Sequence, residues 1–101
     1  MNKVFGLLGI CMKAGKLLAG TDLVLEEMAK NNVKLLIIAN DASEKTIKNI
    51  IYYANKYNVE NLIYGSIDDL SKAIGKYNKA IIGIKDENLA NALKKAITED
   101  K

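Results

Sequence analysis

Lys34-Leu35-Leu36-Ile37-Ile38-Ala39-Asn40-Asp41-Ala42-Ser43 decides the fold. Five consecutive apolar residues leave no polar face, so 35–39 reads as a strand covered on both sides. The polar cluster after it, Asn40 to Ser43, is helix-capping chemistry, with Asp41 and Glu44 at capping-box spacing. From about residue 42 to 57 the apolar positions Ile47, Ile50, Ile51, Ala54 and Tyr57 recur on one side of a helix. A buried strand feeding an amphipathic helix is one α/β unit, and the same pattern continues outward in both directions.

Towards the C-terminus, 61–64 reads as a third strand. Ser66 then caps a helix through Ile74, with Asp69 at the capping-box position and Gly75 closing it. Residues 80–84 form the fourth strand, and Asp86 caps a last helix that buries Leu89, Leu93, Ala96 and Ile97. Towards the N-terminus, 3–14 reads as a helix with Val4, Leu7, Leu8, Cys11 and Met12 on one face, ended by Gly15. A short strand at 17–19 runs into Gly20-Thr21-Asp22, where a helix to about Lys30 begins. Alternation of this kind predicts an α/β domain with helices on both faces of a four-stranded sheet. The length of 101 residues predicts one domain, 1–101. Ligands of such folds gather where strands end and helices begin. Three such junctions are rich in capping residues: Gly20-Thr21-Asp22, Asn40-Asp41-Ala42-Ser43 and Tyr64-Gly65-Ser66-Ile67. If they share one edge of the sheet, they form a single surface.

Charge singles out the first junction. The net charge is +3, and the first 21 residues hold three lysines (Lys3, Lys13, Lys16) and no acid, so the rest of the chain is neutral. The first turn of a helix has N–H groups without internal partners and a partial positive charge, which suits a phosphate. Lys13 and Lys16 beside Gly20, Thr21 and Asp22 therefore point to an anionic partner, RNA foremost. On the second helix, Val24, Leu25, Met28 and Ala29 face the sheet, while Asp22, Glu26, Glu27 and Lys30 face away. Leu23 falls on the polar side, either as a lone surface residue or as an apolar contact for a base or a protein. Each feature also has a plain structural account. Gly20 serves a tight turn, Thr21 or Asp22 serves as a cap, and single lysines are usually solvated.

Other functions find little support. The chain has one cysteine, Cys11, and no histidine, which argues against a zinc site and against a cysteine nucleophile with a base. No disulfide can form within the chain. Adjacent acids such as Asp68-Asp69 point about 100° apart on a helix, poor geometry for paired acid–base work. Gly15-Lys16 lacks the rest of a phosphate-binding loop. No catalytic residue, cofactor or metal is expected. No apolar run is long enough to cross a membrane, and the N-terminal apolar stretch, broken by Lys13 and Lys16 and ended by no small-residue cleavage pattern, does not read as a signal peptide, so a cytoplasmic protein is expected. All 15 basic residues are lysine, so bidentate guanidinium contacts are unavailable.

Taken together, Gly6-Leu7-Leu8-Gly9, Lys13-Ala-Gly-Lys16, Gly20-Thr21-Asp22, Lys34 to Asp41, Leu70-Ser-Lys-Ala-Ile-Gly-Lys76 and Ala80-Ile-Ile-Gly-Ile84 resemble the kink-turn RNA-binding ribosomal protein family. The resemblance runs from about Phe5 to Ile97 and is nearest to its bacterial YlxQ-like branch. It implies a three-layer α/β/α sandwich with a mixed sheet, and a non-catalytic protein of the translation apparatus; a monomer is expected, since nothing in the sequence suggests an obligate dimer. The implied partners are structured RNA, either ribosomal or kink-turn-like, and ribosomal or translation proteins. The implied RNA face is the start of the second helix plus the loop before the fourth, here Tyr64, Gly65, Ser66 and Ile67. The family's second-helix motif is Gly-x-Asn-Glu, with a Lys three positions after the Glu. Gly20 matches, whereas Asp22, Leu23 and Glu26 stand at the Asn, Glu and Lys positions. Asp22 accepts hydrogen bonds but cannot donate as asparagine does, and Glu26 puts an anion where a phosphate would lie. A good base contact contributes about 1–3 kcal/mol, so these changes imply weakened kink-turn affinity. The competing reading is a protein-interaction module built on Leu23 and Ile67, with little RNA binding.

Overall fold

The computed structural model describes residues 2–100. Five helices alternate with four strands: α1 (Lys3–Lys13), β1 (Leu17–Ala19), α2 (Thr21–Ala29), β2 (Leu35–Ile38), α3 (Glu44–Lys56), β3 (Glu60–Ile63), α4 (Ile67–Ala73), β4 (Ile81–Ile84) and α5 (Glu87–Glu99). The sheet order is β1-β4-β2-β3. β2 and β3 are parallel, and β4 is antiparallel to both β1 and β2, which makes the sheet mixed. α1 packs on α4 and α5, and α2 packs on α3, giving the expected α/β/α sandwich.

The central strands explain the layering. Leu35, Leu36, Ile37 and Ile38 are all fully buried, as are Ile81, Ile82 and Ile84, so each sheet face needs a cover. Burial of each such side chain contributes about 1.5–3 kcal/mol. Gly83 lets α2 settle closely on β4: a Cβ there would stand 3.3–3.4 Å from Val33 and Val24 methyls. Cys11 and Leu8 of α1 are fully buried from the other side.

Four helices stop in the same way. One residue past the C-cap, the backbone turns left-handed at Gly15, Asn31, Asn58 and Gly75. The next N–H then donates back to a last-turn carbonyl: Lys16 to Cys11, Asn32 to Glu27, Val59 to Ala54 and Lys76 to Ser71. The two glycines were legible as stops. The two asparagines do the same work, since asparagine tolerates this conformation better than other side chains.

The cap of α3 differs from expectation. α3 starts at Glu44 and its N-cap is Ser43, whose hydroxyl accepts from Thr46 N. Asp41 lies too early for that role, and its carboxylate accepts from Ile67 N at 2.8 Å instead. The expected caps at Ser66 and Asp86 do place side-chain acceptors, on Asp69 N and Leu89 N.

Candidate functional site

β1 and β2 are both antiparallel to β4, so they run the same way, and β3 is parallel to β2. The C-terminal ends of three strands and the start of β4 therefore meet at one edge. Backbone bonds join them there: Gly20 N to Ile81 O at 2.9 Å, Ala39 N to Ala80 O at 2.9 Å, and Asn40 N to Gly65 O at 2.7 Å. The three cap-rich junctions thus share one surface.

The start of α2 is open. Its N-cap is Gly20, at φ 107° and ψ 145°, and no side chain caps the helix. Thr21 and Asp22 lie inside the first turn rather than at the cap. The first bond within the helix is Val24 N to Gly20 O, so the N–H groups before it point outward. They face an open groove of about 490 Å³ lined by Ala19, Gly20, Thr21, Asp22, Leu23, Thr46, Asn78, Lys79 and Ala80. Leu23 is 44% exposed on its wall. The cation at this helix start is Lys79, whose Nζ lies 3.7 Å from the point where a Cβ on Gly20 would stand.

Residues 76–79 are what the sequence reading missed as part of the site. Tyr77 is 92% exposed, between Lys76 and Asn78. Lys76 and Lys79 also border a smaller groove with Met12, Leu17, Ala19 and Leu23. Ser71, the buried polar residue of the core, holds this loop in place. Its Oγ accepts from Lys79 N at 2.9 Å and donates to Lys79 O at 3.4 Å. The available signal was compositional: Gly75-Lys76-Tyr77-Asn78-Lys79 carries two lysines, an aromatic and no acid.

The remaining expected residues divide. Asp41 and Ile67 are tied to each other and line a third groove, shared with Ser71, Lys76, Tyr77 and Asn78. Asn78 borders this groove and the one at Gly20, so the two are contiguous around the loop. Leu23 and Ile67 line separate grooves rather than one apolar patch. Asn40 is exposed at the same edge, and Ser66 is occupied in capping α4. Gly65, at φ 72°, is packed against Phe5 and Leu70. Tyr64 turns away towards the terminal helices, where its hydroxyl donates to the Asp100 carboxylate and accepts from Asn2. Partial burial and the Asp100 carboxylate raise its pKa. Glu26 is drawn to Lys30 at 3.4 Å. Lys16 stands at the far end of β1 from Gly20, its carbonyl accepting from Lys85 N. Lys13 borders a groove between α1 and α4 with Lys72. Neither lysine lines the Gly20 groove, because the turn after α1 places them where β1 begins.

Cys11 is inside the core, and burial, followed by the charge of Asp86, raises its thiol pKa. Among the described residues, no cluster of three or more His, Cys, Asp or Glu could hold a metal, and no helix is long and apolar enough to cross a membrane.

Comparison with known proteins shows the family and the fold. The profile of the ribosomal protein L7Ae/L30e/S12e/Gadd45 family matches residues 2–94. The RNA-binding protein YlxQ of Enterococcus faecium is 34% identical over 96 residues, covering 95% of this chain and 92% of that one. A Bacillus halodurans protein of unknown function superimposes with a TM-score of 0.93 at 30% identity, covering 97% of this chain and 99% of that one. The Giardia lamblia 15.5kD RNA binding protein shares the fold, with a TM-score of 0.79 at 17% identity over 94% of this chain and 82% of that one.

Proposed function

We propose, because the chain belongs to the ribosomal protein L7Ae/L30e/S12e/Gadd45 family, that it is a non-catalytic RNA-binding domain of the translation apparatus. The observation that carries the proposal is the uncapped α2 start, with Lys79 beside it and an open groove in front of it. Free N–H groups and a lysine together accept a phosphate. Leu23 supplies an apolar wall for a sugar or base, and Asp22 supplies acceptors for base N–H groups. Lys76 and Tyr77 continue the surface with a second cation and a ring that can stack on an unpaired base. Lys13 and Lys16 lie outside the groove, and their part is to attract RNA over a longer range.

A kink-turn-like element, in which sheared G·A pairs open a duplex beside unpaired bases, fits such a groove. The side chains favour looser recognition. Asp22, Leu23 and Glu26 together place two carboxylates and an apolar group where a basic, amide-bearing surface would hold a kink-turn tightly.

The test is binding to a kink-turn duplex and to the same duplex with its G·A pairs disrupted, at about 0.1 M salt. The expected result is tighter binding to the intact element, and an affinity that falls as salt rises because phosphate contacts release counterions. Lys79→Ala should weaken binding to both duplexes and make the salt slope shallower by about one. Equal binding to both removes the kink-turn preference, and no salt-sensitive binding to either removes the RNA reading.

A further inference from the structure

The outer face of α3 carries a basic and aromatic stripe that the Gly20 groove does not use. Lys45, Asn49, Tyr52 and Lys56 recur every three or four residues, so they line up along the helix. All four are exposed, and Tyr52 is 62% exposed. Tyr52 does not stand alone. Its ring meets Tyr53 edge-on at 5.0 Å, Tyr53 stacks on Tyr57 at 6.3 Å, and Lys56 Nζ lies 5.9 and 5.7 Å from those two rings. Such a cluster holds the Tyr52 ring in place while leaving much of it open to solvent.

Charge points the same way. α3 holds three lysines and one acid, Glu44, which is paired with Lys48 at 3.0 Å. Of the acids on the neighbouring α2, Glu26 and Glu27 are both engaged by Lys30, and Asp22 stands at the helix start, on the Gly20 groove rather than on this stripe. Glu60 of β3 is paired with Lys94. The stripe therefore presents Lys45 and Lys56 on either side of an exposed ring. Thr46, next to Lys45 in the first turn of α3, lines the candidate groove, so the stripe begins beside that groove. From Lys45 to Lys56 the stripe runs about 16 Å along the helix, a length that several nucleotides span.

We propose that this face of α3 binds an unpaired RNA strand flanking the structured element held at the Gly20 groove. The lysines take phosphates and Tyr52 stacks on a base. This rests on the RNA-binding reading above and adds a second, single-stranded contact to it. Stacking on a tyrosine tolerates any base, so the contact extends affinity without demanding sequence.

The experiment compares three RNAs: a kink-turn hairpin alone, and the same hairpin with eight uridines added at the 5′ or at the 3′ end. The wild-type chain should bind one of the extended RNAs at least five-fold more tightly than the bare hairpin. Tyr52→Ala and the double variant Lys45→Ala/Lys56→Ala should lose that gain while binding the bare hairpin within two-fold of wild type. Tyr52→Phe should keep it, since the ring and not the hydroxyl does the stacking. The same gain in wild type and in Tyr52→Ala, or no gain from either extension, overturns the proposal while leaving hairpin binding intact. Failure of the wild-type chain to bind any of the three RNAs overturns the RNA reading itself, and this proposal with it.

Discussion

Ser71→Ala tests whether one buried hydroxyl sets the shape of the candidate site. The Ser71 Oγ accepts from Lys79 N at 2.9 Å, a full hydrogen bond, whereas its donation to Lys79 O at 3.4 Å is long and adds little. Alanine leaves the Lys79 N–H without that partner. An unsatisfied buried donor costs about 1–3 kcal/mol, and the half-buried position of Lys79 puts this case at the lower end. The better helix propensity of alanine returns roughly 0.5 kcal/mol. The net loss is about 0.5–1 kcal/mol by that reckoning, a fall in Tm of roughly 2–8 °C for a domain of this size. The functional consequence exceeds the stability loss, because the loop bearing Lys76, Tyr77 and Lys79 is no longer pinned. Urea unfolding gives the first quantity, and amide exchange at Lys79 gives the second. Ser66→Ala is the control. It removes another serine hydroxyl on the same helix, the N-cap, at a similar cost of about 1 kcal/mol, and leaves the Ser71–Lys79 bond in place. Faster Lys79 exchange and weaker RNA binding in Ser71→Ala but not in Ser66→Ala are expected. Unchanged stability, or Lys79 exchange that matches between the two variants, would refute the reasoning.

Two further predictions concern the fold. Gly20→Ala should destabilise the protein by about 1–3 kcal/mol, read as a shift in urea midpoint, because φ 107° is strained for any residue with a Cβ; the nearest atom, Lys79 Nζ at 3.7 Å, offers no clash, so a loss well below that range means the turn relaxes. Cys11 has its thiol pKa raised in the folded state, first by burial and then by Asp86, so the folded chain keeps a proton that the unfolded chain gives up. Its contribution is complete below the unfolded pKa of about 8.5 and is lost as pH rises from there through the folded value. Stability measured from pH 7 to 10 should therefore decline more steeply in wild type than in Cys11→Ala, whatever the constant cost of the cavity; parallel profiles would contradict this.

Much of this protein was legible in local patterns. The continuous apolar run at 35–39 required a sheet covered on both faces, and amphipathic periodicity gave each helix its inward side. Gly20 and the exposed Leu23 also followed from one segment, because a tight turn and a helical wheel are properties of neighbouring residues. Element limits moved by a residue or two where a cap was misassigned, as at Asp41 and Ser43, since several polar residues in a row can each serve as a cap.

What the tertiary structure decided depends on groups far apart in sequence. Strand order and direction bring three junctions to one edge, and no periodicity encodes pairing between β1, β4 and β2. The same pairing brings Lys79, in the loop just before β4, against Gly20, just after β1. It leaves Lys13 and Lys16, the expected cations, outside that groove. Asp41 found its partner in Ile67 across the same edge, and Ser71 found its partner in the loop that returns the chain to the sheet. Local spacing determined which helix start would be open, and long-range hydrogen bonding determined which lysine stands over it.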